Sequence, residues 1–167
     1  MDRNRFVCYL LWRLVMPKST EELKNELRKA RGLEGFLVDN QKDFRQYTLA
    51  EYLNHLLEEK HLSKMKVIAD SRLERRYAYH IFAGRKKNPS RPKVIALALA
   101  MGLTPEETQY LLYYAGAEQL YVRNPWDSVL WYALDHHMSV VDTNLMLEKM
   151  SNLPLLVEKE ENANEIL

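Results

Sequence analysis

The stretch Leu62–Gly102, LSKMKVIADSRLERRYAYHIFAGRKKNPSRPKVIALALAMG, decides how the rest of the chain is read. Its apolar spacing predicts three short helices in quick succession, over about residues 64–71, 74–83 and 91–101. On the middle helix, a repeat of 3.6 residues per turn puts Tyr77, Ala78 and Ile81 on one side, with Leu73 just ahead extending it. Arg75, Arg76, Tyr79, His80 and Ala83 then fall on the other side. Burial of the first side therefore presents the second to solvent.

Charge is concentrated in the same place. From Arg72 to Lys93 there are eight Lys or Arg and one acid, Glu74, a local net charge of +7 in a chain whose total is +1. The remainder must therefore sum to −6. Such a polarised surface attracts polyanions. Two short helices joined by a tight turn and followed by a basic loop match the helix-turn-helix, whose second helix lies in the major groove of duplex DNA. A solvated basic helix face is the plainer alternative.

The residues that carry this pattern resemble a known family. Leu62-Ser63 precede the first motif helix, Val67-Ile68 lie inside it, Leu73 follows the turn, and Ala78 and Ile81 sit in the second helix. Gly84, Pro89-Ser90 and the run Ile95–Leu103 come next. In this order they resemble the phage-repressor-like, Cro/Xre-type helix-turn-helix transcriptional regulators, over about residues 48–116. The resemblance implies a five-helix bundle and duplex DNA as the partner. Three positions depart from the family pattern. Arg72 stands where the turn usually has Gly, Ile68 where the first motif helix usually has a small residue, and Phe82 where a Glu commonly stands two positions before the final Gly.

Around this centre the sequence predicts an all-α chain. Five Gly and six Pro in 167 residues favour long regular helices over sheet, and no alternating strand pattern occurs. The single cysteine, Cys8, excludes an internal disulfide framework and fits a reducing cytoplasm. Residues 1–47 read as an N-terminal helical extension. Phe6–Met16 is its one strongly apolar run, too short to span a bilayer, and without the cleavage-site tail of a signal peptide. Met16 is an alternative start, because Pro17 and a capping box, Ser19 to Glu22, follow it directly. A helix over residues 20–31 carries Leu23 and Leu27, and residues 32–47 read as a connection anchored by Phe36, Leu37, Phe44 and Tyr47.

Thr48 and Glu51 form a second capping box, opening a helix to about Lys60. Thr104, Pro105 and Glu107 start the last bundle helix, which stops at Gly116. The expected core is Leu53, Leu57, Val67, Ile68, Leu73, Ala78, Ile81, Leu97, Ala98, Leu103, Leu111 and Leu112. Residues 117–157 read as a C-terminal helical pair. One helix opens at Asn124-Pro125 with Trp126, Val129, Leu130 and Ala133 inward, and the next is capped by Ser139 with Val140, Leu145 and Leu147 inward. Two helices cannot bury both faces alone, so they must dock on the bundle, on the N-terminal helices or on a second subunit. Tyr110, Tyr113, Tyr114, Tyr121, Trp126, Trp131 and Tyr132 supply an aromatic core and interface. An acidic tail, residues 158–167, closes the chain.

No catalytic constellation emerges. His55, His61, His80, His136 and His137 include no pair four apart, Cys8 has no cysteine partner for zinc, and neither a Gly-rich phosphate loop nor Gly-x-Ser-x-Gly occurs. No metal or cofactor is expected. The sequence instead predicts a cytoplasmic DNA-binding regulator, pairing as a homodimer so that two half-sites multiply weak single contacts. Arg75, Arg76, Tyr79 and His80 are the expected base-contacting residues, arginine matching the paired acceptors of guanine. Lys64, Arg85, Lys86, Lys87 and Arg91 are expected on phosphates. The alternative from another class is a helical protein-interaction module, in which the bundle is a scaffold and the aromatic C-terminal helices bind a partner.

Overall fold

The structure, a computed structural model, describes residues 18, 20–44, 47–150 and 153–156. Every regular element among them is an α-helix, nine in all. No helix among the described residues is long and apolar enough to cross a membrane. The chain falls into two compact units, Met1–Gln46 and Tyr47–Leu167. The expected helix at Phe6–Met16, the Ser19 capping box and the acidic tail lie outside the described residues.

In the first unit, α1 (Thr20–Lys29) packs on α2 (Leu33–Asp39). The second helix corrects the expectation of an irregular connection there. It is only two turns long: Leu33, Phe36 and Leu37 stand at the three-and-four spacing of a helix face, but only Phe36 is buried, and Leu33, Leu37 and Val38 stay exposed. Of the four expected anchors in this segment only Phe36 is buried, with its ring edge-on to Phe44 at 5.9 Å. The buried side chain of Asn40 accepts from Lys18 Nζ at 2.7 Å and donates to the Phe36 carbonyl at 2.9 Å.

Seven helices make the second unit: α3 (Leu49–Glu59), α4 (Lys64–Asp70), α5 (Arg75–Phe82), α6 (Arg91–Ala100), α7 (Pro105–Tyr114), α8 (Pro125–Asp135) and α9 (Val140–Lys149). Local chemistry sets their starts. Thr48 with Glu51 and Thr104 with Glu107 close capping boxes, in which side chain and backbone satisfy each other's orphan donors. Ser63, Glu74, Asn124 and Ser139 cap α4, α5, α8 and α9 through their side chains. Glu107 has a second task, because its other oxygen meets Lys60 Nζ at 2.7 Å and ties the end of α3 to the start of α7.

Packing follows from α6, whose residues Val94 to Leu99 are all buried. A helix apolar on every side must be enclosed, and α4, α7, α8 and α9 enclose it. α3 packs on α5 and α7, α4 on α5, and α8 on α7 and α9. All the expected core residues are buried except Leu73, which is half-buried at the turn. The C-terminal pair docks on the helices before it, with two changes of register. Thr143 takes the inward place expected for Leu145, which is 50% exposed, because Val140, Thr143 and Leu147 share the three-and-four spacing of one helix face. The aromatic supply is not core: Tyr113, Tyr121 and Tyr132 are exposed, and Tyr110, Tyr114, Trp126 and Trp131 are half-buried.

The turn between α4 and α5 is bridged by Ser71, whose fully buried hydroxyl donates to the Ile68 carbonyl at 2.7 Å and accepts from Leu73 N–H at 3.4 Å. Arg72 follows at φ +57°, the left-handed backbone that favours glycine. Arg72→Gly should therefore raise the unfolding free energy by up to about 1 kcal/mol in a urea titration, with unchanged slope. A loss of stability would mean that the Arg72 side chain itself holds the turn.

Candidate nucleic-acid interface

The outward side of α5 is fixed by the inward one. Ala78, Ile81 and Phe82 are buried against the neighbouring helices, so Arg75 and Arg76 are exposed, with Tyr79 and His80 half-buried beside them. Phe82, one of the departures from the family pattern, fills the core, and Asn54 Nδ2 donates to its carbonyl at 3.0 Å. Tyr77, expected on the buried side, is only half-buried.

Glu74 opens the helix. Both of its carboxylate oxygens accept backbone donors, from Arg76 N–H at 2.8 Å and Tyr77 N–H at 2.7 Å. These two bonds hold its carboxyl below the ordinary carboxylate range. A lowered folded-state value means that the cap's contribution is present above the unfolded-state value and is lost only as pH falls toward the folded one. The one acid in the basic segment is thus spent on the helix end, and among the described residues no carboxylate pairs with Arg75 or Arg76. The guanidinium of Arg75 instead lies 5.9 Å from the Tyr79 ring centre, one turn along the same side.

The loop after α5 extends the cationic surface. Gly84 turns the chain at φ +72°, and Arg85 and Lys86 N–H both bond the His80 carbonyl, at 2.9 and 3.0 Å. Arg85, Lys86 and Lys87 are exposed beyond it. Lys86 Nζ lies 5.8 Å and Lys93 Nζ 4.1 Å from the centre of the Tyr77 ring. Lys64, at the start of α4, reaches within 5.4 Å of the Phe82 ring centre.

Arg91, expected on phosphate, is engaged within the protein itself. Its guanidinium donates to both carboxylate oxygens of Asp127, at 2.9 and 2.8 Å, and to the carbonyls of Glu118 and Gln119, at 2.8 and 3.0 Å. Trp126 covers it, with the ring centre 5.5 Å away. Asp127 is buried and also accepts from Tyr121 N–H, so this bidentate pair fastens the start of α6 to the start of α8. Lys93, two residues on, is half-buried against the Tyr77 ring. Sequence could not separate the two, because Asp127 is 36 residues from Arg91.

A groove of about 960 Å³ runs beside this surface. Leu73, Tyr77 and Lys93 form one wall, and Val141, Leu145 and Glu148 of α9 form the other. The exposed apolar side chains of α9 thus face a space bordered by the first turn of α5.

Removing Arg91 leaves a buried carboxylate uncompensated, which costs about 3–5 kcal/mol. Arg91→Leu should therefore lose about 3 kcal/mol of stability in a denaturant titration. A loss below about 1 kcal/mol, the value of an exposed pair, would return Arg91 to the set of free surface cations. No family model, no curated protein and no solved structure matches this chain.

Proposed function

We propose that this protein binds duplex DNA as a sequence-specific transcriptional regulator of the Cro/Xre type, with α4 and α5 as the helix-turn-helix and α3 to α7 as a repressor-like five-helix bundle. The observation that carries the reading is the outward side of α5. Its arginines are exposed and, among the described residues, unpaired with acids, on a helix held by its buried side and entered through a left-handed turn. A helix of eight residues with neighbours below fits the major groove, about 12 Å wide.

In this mechanism Arg75 and Arg76 reach base edges, with guanine O6 and N7 as the matching acceptors. Tyr79 braces Arg75 by the ring contact described above, and His80 assists. Lys64, Arg85, Lys86 and Lys87 neutralise phosphates and set the register of the helix in the groove. The regulator acts in the cytoplasm as a homodimer, whose two reading helices meet two half-sites.

A protein-interaction module is the second reading, and the groove along α9 favours it. Exposed Val141 and Leu145, on a wall opposite Tyr77, offer an apolar seat to a partner's helix or extended segment. Fluorescence anisotropy with random duplex at low salt separates the two readings. A DNA binder shows association that weakens steeply as salt rises, whereas a pure interaction module shows none.

Arg75→Ala or Arg76→Ala should cost about 1–3 kcal/mol on a site selected from a random duplex pool, and little on random duplex. Equal losses on both would refute base reading. Lys86→Ala with Lys87→Ala should weaken all duplexes alike and lower the salt slope by about 1 for each phosphate no longer neutralised. An unchanged slope would remove both lysines from the phosphate-binding set.

A further inference from the structure

The chain after α9 is steered to the groove beside α5. Trp126 Nε1 donates to the Leu153 carbonyl at 2.7 Å. Asn144 then holds the next two residues, its amide oxygen accepting from Leu155 N–H at 2.8 Å and its nitrogen donating to the Leu156 carbonyl at 3.3 Å. Leu155 is buried as a plug, and Asn144, Pro154 and Leu156 themselves line the groove. Residues 157–167 follow directly from this wall.

The two long walls differ in character. On the α5 side Arg72 is exposed and Lys93 half-buried, and neither pairs with a carboxylate among the described residues. Glu74 lies on the same side, but both of its oxygens are taken by backbone N–H groups. Lys86, 5.8 Å from the Tyr77 ring centre, extends the cationic wall outward. On the α9 side Val141 and Leu145 are exposed, with Glu148 one turn further on. An apolar wall ending in an acid thus faces cations that lack counter-ions.

The segment attached at Leu156 carries the complementary charge: residues 157–167 hold four Glu against one Lys, a net −3, and begin Val157, Glu158, Lys159, Glu160. We propose that this segment occupies the groove of its own molecule and competes with polyanions for the cations of α5. In an extended strand successive side chains point to opposite sides. Glu158 and Glu160 turn to Arg72 and Lys93, while Val157 and Lys159 turn to Leu145 and Glu148. Reversing the faces would set Lys159 against Lys93 and Glu158 against Glu148, so charge selects the first arrangement.

Reach permits this docking and attachment favours it. The α9 wall from Val141 to Glu148 is about 11 Å long at 1.5 Å per residue, and four extended residues span up to about 14 Å. Exposed ion pairs are individually weak, but a segment joined by a short linker is presented at millimolar effective concentration. A site of only about 0.1 mM affinity is then roughly nine-tenths filled. The same segment on a second molecule, or a separate acidic protein at micromolar concentration, has no such advantage. Competition with DNA rests on the DNA-binding reading; the docking does not, and is measured without nucleic acid.

Amide NMR spectra of the nitrogen-15-labelled full chain test the docking. Glu158→Gln combined with Glu160→Gln should shift the signals of Tyr77, Lys93 and Leu145, equally at every protein concentration, and raised salt should move the parent's signals the same way. Lys93→Gln, a change on the opposite wall, should shift the signals of Glu158 and Glu160. Shifts confined to the sequence neighbours of the changed residues in both variants, with the rest of each spectrum intact, overturn the docking. Shifts that grow with protein concentration overturn it in favour of a segment from a second molecule. On random duplex at low salt the glutamine variant should bind at least about threefold more tightly than the parent. Equal affinity despite the groove shifts would overturn the competition. Groove shifts with no duplex binding by either chain would sink the DNA-binding reading and leave the docking standing, and salt-sensitive duplex binding without groove shifts would do the reverse.

Discussion

α6 has no side that can face water. Val94 to Leu99 are buried in unbroken sequence, and enclosing them requires helices on all sides. α4 and α7 supply one part of that enclosure, and α8 and α9 the other. The position of α5 follows in turn, because it packs on α3 and α4, elements already placed by contact with α6 and α7. A large-to-small change inside such a helix costs about 2–5 kcal/mol. Set against the roughly 5–15 kcal/mol that holds an ordinary domain together, one cavity there would loosen everything the surface chemistry depends on.

Magnitudes also sort the cations of the basic segment. A guanidinium that meets a buried carboxylate through two bonds and two carbonyls through two more is committed to the fold, since freeing it would leave Asp127 charged and enclosed. Arg75, Arg76, Arg85, Lys86 and Lys87 are exposed and bear no such commitment among the described residues. The local charge of the segment therefore overstates what is available to a polyanion by one. The useful charge is also gathered toward α5 and its loop, where Glu74 has been withdrawn into backbone bonds.

Features encoded locally were legible in the sequence. The capping boxes at Thr48 and Thr104, the caps at Asn124 and Ser139, and the burial of Ala78 and Ile81 on α5 each depend on residues within about one turn of each other. Three features were not. α2 is only two turns long and opens at Gly32 without a side-chain cap to announce it, and the inward place of Thr143 over Leu145 depends on which side of α9 meets α6 and α8. The role of Arg91 depends on a partner in another helix.

The outward side of α5 and the outer side of α8 are connected through packed helices of one unit. α5 rests on α4, α4 on α6, and α6 on α8, whose outer side carries Tyr132 and His136. The Arg91–Asp127 pair closes the link between α6 and α8 at their starts. Packed helices move little relative to each other, because close-packed interiors resist deformation. The stack therefore holds the outward side of α5 as one body with α8.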